Sequence, residues 1–197
     1  PWRKKRTPYR VWVSELLLQQ TQVATVIPYY ARWMRRFPTL KALARARLST
    51  VLRLWEGLGY YRRARFLHTG ARDILRMPGS RFPSTYEGLR ALPGVGLYTA
   101  GAIASLAFGL RHPVVDGNVE RVLLRLSGDL RAPSSASVRR HLWAAADALV
   151  PADQPGAFNE GLMEFGALVC TAAAPACDRC PLRCLCRAWK EGLVHLI

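Results

Sequence analysis

Four cysteines in the last quarter of the chain, Cys170, Cys177, Cys180 and Cys186, follow the spacing C-x6-C-x2-C-x5-C. Four thiolates closing such loops can surround a cubane iron–sulfur core, which needs one sulfur ligand per iron and no nitrogen ligand. Tetrahedral zinc on the same thiolates is chemically sound, but its usual pattern is two short C-x2-C pairs set far apart, and this run holds one such pair. Disulfides suit small secreted domains. Here the cysteine count is odd, at five, no secretory apolar segment is visible, and 197 residues can bury a core without staples. Cys184 is left over and has no assigned role.

A second chemistry is suggested by two carboxylates and a glycine-rich turn. Leu92-Pro93-Gly94-Val95-Gly96 precedes an apolar helix that begins Leu97-Tyr98-Thr99. Glycines let a backbone approach an anion closely, and the open amides of a helix N-terminus offer donors and a favourable dipole. An ordinary tight turn between packed helices is the plain alternative. LPGVG before a small-residue helix favours a helix-hairpin-helix, in which Leu92, Gly94, Val95 and Gly96 would meet DNA phosphates without reading sequence. About eighteen residues past the hairpin stands Asp116, in Val115-Asp116-Gly117-Asn118. It reads equally as a helix N-cap, a routine task for Asp, and as a carboxylate presented to a ligand cleft. Glu15 lies in Val11-Trp12-Val13-Ser14-Glu15-Leu16-Leu17-Leu18, a helix apolar nearly all round. A carboxyl there is desolvated, which favours its neutral form, as a general acid near neutral pH requires; a structural pairing with a backbone amide or an arginine is the competing reading.

These residues need a scaffold, and apolar positions recur at helical spacing almost throughout, so the fold class is all-α. Helices are expected over 8–20, 22–37, 39–45, 48–55, 61–76, 84–90, 97–108, 117–127, 135–149 and 156–169, with Pro28 kinking the second. Gly, Pro and Asp-Gly punctuation over Gly109–Gly117 marks a junction of two helical lobes, and a cleft between lobes is a common place for a ligand. No run is long and apolar enough for a membrane span, so a soluble, cytoplasmic protein without membrane partners is expected. Lys and Arg number 29 against 13 acids, a net charge of +16, which points to a polyanion, most commonly nucleic acid. Only four of the 29 cations are lysines, and Arg matches phosphate geometry bidentately. Beginning at Pro1 rather than Met, the chain is expected to be a fragment or trimmed domain.

The hairpin followed by Asp116 resembles the base-excision glycosylase superfamily shared with endonuclease III, and the cysteine spacing matches it too, favouring iron–sulfur over zinc. V-W-V-S-E-L-L-L-Q-Q-T-Q-V-A-T-V-I-P-Y-Y, G-L-G-Y-Y, L-P-G-V-G-x-Y-T-A-G-A-I-A-S and V-D-G-N-V-x-R-V together resemble the MutY adenine DNA glycosylase family, from about Trp2 to Cys186. The resemblance implies a six-helix barrel with the hairpin over 7–108, a cluster lobe from 1–6 with 109–197, and double-stranded DNA in the cleft between them. It implies hydrolysis of the N-glycosidic bond of adenine paired with 8-oxoguanine or guanine in flipped-out form, by a monomer, in a bacterial nucleoid setting. Glu15 would protonate adenine N7 and Asp116 stabilise the oxocarbenium ion. Tyr98 stands where endonuclease III carries a Schiff-base lysine, so an intact strand with an abasic site is the expected product.

By the same resemblance Trp2, Arg3 and Glu160 would line the adenine pocket, Gln20, Leu58 and Tyr60 would enter the base stack beside 8-oxoguanine, and Cys170, Cys177, Cys180 and Cys186 would hold a [4Fe-4S] cluster. The cluster would organise a basic loop whose Arg179, Arg183 and Arg187 meet phosphates. The family normally adds a C-terminal Nudix-like domain, which this stretch of chain is expected not to include, and that bears on 8-oxoguanine selectivity. Two other readings are a thymine glycosylase acting on G:T mismatches and a non-catalytic DNA-binding module.

Overall fold

The computed structural model describes all 197 residues, and every regular element in it is helical. The chain divides into two compact units, Pro1–Phe108 and Gly109–Ile197. Residues 1–6 fall within the first unit. The reason is packing, since the Trp2 ring meets Tyr30 edge to face with centroids 5.5 Å apart.

The first unit comprises α1 (Pro8–Leu18), α2 (Val23–Arg36), α3 (Leu40–Ala44), α4 (Leu48–Trp55), α5 (Arg62–Arg76), α6 (Tyr86–Arg90) and α7 (Leu97–Phe108). Thr7 caps α1 by accepting from Arg10 N, and Pro8 sits in the first turn, where no N–H is needed. From Val11 to Leu17 every residue of α1 is buried, so the helix is central, and it packs against α7, α2 and α5. Its main partner α7 is lined by small residues, with Ala100, Gly101, Ala102, Ala104 and Ser105 all buried. On α5, Gly70 makes room for Trp12: a Cβ there would lie 2.9 Å from the indole. Around this core α2, α4 and α5 are amphipathic, and Trp33 meets Trp55 and Phe37 edge to face at 5.6 and 5.2 Å. Helix α2 runs from Val23 to Arg36 with Pro28 inside it.

The second unit comprises α8 (Gly117–Ser127), α9 (Ala136–Leu149), α10 (Pro155–Leu168) and α11 (Arg187–Lys190). Helix α8 is its axis, packed against α10, α11 and α9. A small core of Val119, Leu123, Leu124, Val138, Leu142 and Ala146 fills the space. Gly166 on α10 lets that helix approach the start of α8, where a Cβ would lie 2.8 Å from the Asn118 carbonyl oxygen. No helix in either unit is long and apolar enough to cross a membrane. The ten expected helices form, their ends displaced by about two residues or fewer. Helix α11 and the single-turn helices at Pro78–Ser80, Cys177–Arg179, Arg183–Leu185 and Val194–Leu196 were not expected, being too short to display a period.

Candidate functional site

In the first unit α1 and α7 place Glu15 and Tyr98. Glu15 is 5% exposed in the most apolar part of α1. Tyr98, half-buried, is the second residue of α7. The C-terminal end of α1 touches the start of α7 through Gln19 Nε2, which donates to Thr99 Oγ1 at 3.4 Å. Immediately before α7 lies the hairpin. Thr85 caps α6 by accepting from Gly88 N (3.2 Å), Leu92 N and Val95 N donate to Leu89 O and Leu92 O (both 3.1 Å), and Gly94 turns the chain at φ +73°. Any side chain at Gly94 would strike the Phe66 ring, 2.3 Å from an added Cβ. Leu92 and Val95 are buried and anchor the turn, while Gly94 and Gly96 are exposed. The helical ladder of α7 opens with Ala100 N donating to Gly96 O (3.0 Å), so the amides before it precede the ladder and face outward bonding.

Two further turns of this unit carry the residues expected to enter a base stack. After α1, Gln20 is exposed and held at φ 54°. After α4, Tyr60 stands 67% exposed at φ 46°, and Leu58 beside it is buried at 8%. Gly57 cannot be replaced, since its φ is +93° and a Cβ would lie 2.3 Å from the Tyr29 hydroxyl, which donates to Glu56 O at 2.8 Å. Trp2 is half-buried against Tyr30, and Arg3 is exposed.

In the second unit Asp116 is the N-cap of α8. One carboxyl oxygen accepts from Val119 N (2.8 Å) and the other from Asn118 Nδ2 (3.0 Å). The capping reading therefore holds, and it fixes the carboxyl's orientation. Glu160 is half-buried on α10.

Cys170, Cys177, Cys180 and Cys186 line one cavity with about 320 Å³ of space unfilled by protein atoms, walled also by Val169, Pro175, Trp189 and Val194. Burial and the neighbouring thiols of Cys170, Cys180 and Cys186 push the Cys177 thiol above its usual range, against a smaller pull from Arg125. No three His, Cys, Asp or Glu side chains converge tightly enough to hold a single metal ion. Cys184 is exposed and outside the cavity. Of the three loop arginines, Arg187 pairs with Glu191 at 2.6 Å and Arg183 approaches Asp178 at 3.8 Å and the Trp189 ring at 4.6 Å; Arg179 is exposed.

The family described as HhH-GPD superfamily base excision DNA repair protein matches residues 13–147. The chain belongs to the HhH-GPD superfamily. It is 53% identical to adenine DNA glycosylase of Rattus norvegicus over 97% of its own length and 39% of the relative's, so it spans well under half of that protein. Among solved structures it is similar to a thermostable thymine-DNA glycosylase, with a TM-score of 0.86, 31% identity, and coverage of 97% of this chain and 88% of that one. It is also similar to endonuclease III in a non-covalent complex with DNA, with a TM-score of 0.81, 26% identity, and coverage of 96% and 87%.

Buried arginines are the residues of this HhH-GPD chain that sequence reasoning missed. Arg125, 1% exposed, donates to Thr171 O (2.7 Å), Ala172 O (3.1 Å), Ile197 O (3.1 Å) and the Cys170 sulfur (3.4 Å). Arg121 donates to Cys170 O (2.8 Å) and Gly166 O (2.6 Å). Arg63, 5% exposed, points at the two turns that hold Gln20 and Tyr60. One signal was available for Arg63: on α5 it falls on the apolar stripe of Ala64, Leu67, Ala71 and Ile74.

Proposed function

We propose that this chain carries the catalytic part of an adenine DNA glycosylase, hydrolysing the N-glycosidic bond of adenine mispaired with 8-oxoguanine or guanine in double-stranded DNA. The choice of base rests on the 53% identity to the rat enzyme across 97% of the chain. The chemistry rests on Glu15 and Asp116. Glu15, 5% exposed on α1, would deliver a proton to adenine N7. The C1′–N9 bond then breaks with its electron pair leaving on a neutral base. Asp116, oriented by Val119 N and Asn118 Nδ2, offers its negative oxygen to the oxocarbenium ion, and water completes the sugar, giving up a proton to a carboxylate. A Tyr98 hydroxyl cannot form a Schiff base, so the strand stays intact.

Gln20 and Tyr60, exposed on their turns, would enter the stack beside the partner base together with Leu58, which is buried in the free protein. Trp2, Arg3 and Glu160 would line the base pocket. The amides around Gly94 and Gly96 would hold a phosphate.

A [4Fe-4S] cluster on Cys170, Cys177, Cys180 and Cys186 fits the cavity, because the donor set is all sulfur and the walls are mainly apolar. The cluster would tie Cys170–Cys186 into a fixed loop, leaving the reaction to the carboxylates. Iron and sulfide analysis, with visible absorbance lost in Cys177→Ser, tests it.

The deciding experiment is single-turnover base release from duplexes carrying A opposite 8-oxoguanine, A opposite G and T opposite G, with and without alkali. Alkali-dependent cleavage at A is expected. Cleavage at T instead would select the second reading, which the likeness to the thymine-DNA glycosylase structure favours. Strand breaks without alkali would overturn the role given to Tyr98.

A further inference from the structure

Arg63 stands at the start of α5 and is 5% exposed, yet its hydrogen bonds go to backbone carbonyls and one hydroxyl rather than to a carboxylate. A buried cation without an anion is expensive unless oxygen dipoles surround it. Here they come from two separate stretches of chain. Nη1 faces Leu16 O (3.2 Å), Leu17 O (3.1 Å), Gln19 O and Thr21 Oγ1 (3.2 Å), its hydrogens shared among them at the end of α1. Nη2 donates to Leu58 O (3.1 Å) and Gly59 O (3.4 Å) in the turn after α4. The guanidinium carbon also lies 5.1 Å from the Trp55 ring and 5.6 Å from the Tyr60 ring.

Each of these stretches contains a non-glycine residue at positive φ, Gln20 at 54° and Tyr60 at 46°. Such a conformation is disfavoured for a residue with a Cβ and persists only where its surroundings over-determine it. The planar fork of one guanidinium is the common element that determines both. We propose that Arg63 is a positioning residue that locks the Leu18–Thr21 and Gly57–Tyr60 turns into one rigid pair, so that Gln20 and Tyr60 enter the duplex as a single wedge. The functional half of this proposal rests on the reading of those two side chains given above; the mechanical half does not.

The mechanical half is tested by amide hydrogen exchange. Arg63→Lys, whose ammonium cannot span both turns, should speed exchange at the Thr21 and Leu58 amides together by about tenfold or more, with α7 unchanged. Tyr29→Phe, which removes only the bond to Glu56 O, should affect the Gly57–Tyr60 turn alone. Exchange rising in one turn only, or uniformly through the first unit, overturns the proposal. Should Arg63→Lys fail to fold, the unsubstituted protein still decides: in low denaturant the Thr21 and Leu58 amides should open with one free energy and one denaturant slope, and separate openings overturn it.

The functional half is tested by base release. With Arg63→Lys, release from a fully paired duplex should fall about tenfold, and by less than about threefold when flanking mismatches already weaken the stack. An equal fall on both duplexes marks a merely structural residue. No release of any base by the unsubstituted protein overturns the glycosylase reading while leaving the exchange result to stand.

Discussion

In the first unit the central helix is buried on every side by apolar neighbours, and Glu15 is one polar group among Trp12, Val13, Leu16 and Leu17. In the second, the stretch from Cys170 to Cys186 has only two single-turn helices and is held by arginines reaching carbonyl oxygens, Arg121 to Cys170 and Gly166, and Arg125 to Thr171 and Ala172. The carboxyls differ as well: Glu15 is 5% exposed on α1, whereas Asp116 is half-exposed and bonded to two donors. Burial suits a group that must hold a proton, and directed hydrogen bonds suit one that must stay ionised and aimed. The roles proposed for Glu15 and Asp116 call for such a difference in surroundings.

Glu15→Gln should produce the largest effect. It keeps shape and removes the transferable proton, so base release should fall by about 10³-fold with the melting temperature nearly unchanged. Glu15→Leu, which removes the carboxyl altogether, should abolish release. Activity retained in either variant would remove Glu15 from the chemistry.

Leu16→Ala probes the apolar side directly. The residue is fully buried, and its truncation should cost about 2–5 kcal/mol in denaturant unfolding, with exchange speeding in α1, α5 and α7. Arg125→Met probes the polar side. It leaves the carbonyls of Thr171, Ala172 and Ile197 without their donor, at about 1–3 kcal/mol, and exchange should speed locally around 170–176. A global loss from Arg125→Met comparable to that from Leu16→Ala would erase the distinction between the two modes of support.

The apolar half of this picture was legible in the sequence, because burial writes a period: Val11 to Leu17 has no polar face, and the small residues after Leu97 announce close packing. Glu15, Asp116 and the cysteine run were legible for the complementary reason that each breaks the local pattern. The polar half was not. Composition treats the arginines as one class of phosphate-seeking cations, but Arg63 and Arg125 point inward at oxygens, some of them far along the chain, 42 positions away for Arg63 and Thr21 and 46 for Arg125 and Thr171. Arg183 and Arg187 carry acid partners of their own, which net charge cannot reveal. The burial of Leu58, beside an exposed Tyr60, was likewise not legible.

Asp129 offers the finest test, because it lies in the second unit yet owes nothing to the cysteine loop. Just past the α8 cap at Gly128, the Arg131 side chain pairs with its carboxylate at 2.6 Å and Arg131 N adds a bond at 3.0 Å, holding Asp129 down to about 2. A carboxylate depressed in the folded state contributes stability that is fully present above its unfolded value near 4 and disappears as pH falls through about 2. Asp129→Asn should therefore lower the melting temperature only slightly at pH 7, as befits an ion pair whose arginine is exposed. The difference should shrink between pH 4 and pH 2, measured as paired melts of the two proteins across that range. If it instead persisted unchanged at pH 2, the contribution of Asp129 would be the neutral turn geometry around Arg131 N, and the second unit's reliance on directed hydrogen bonds would extend to a site where charge had seemed to matter.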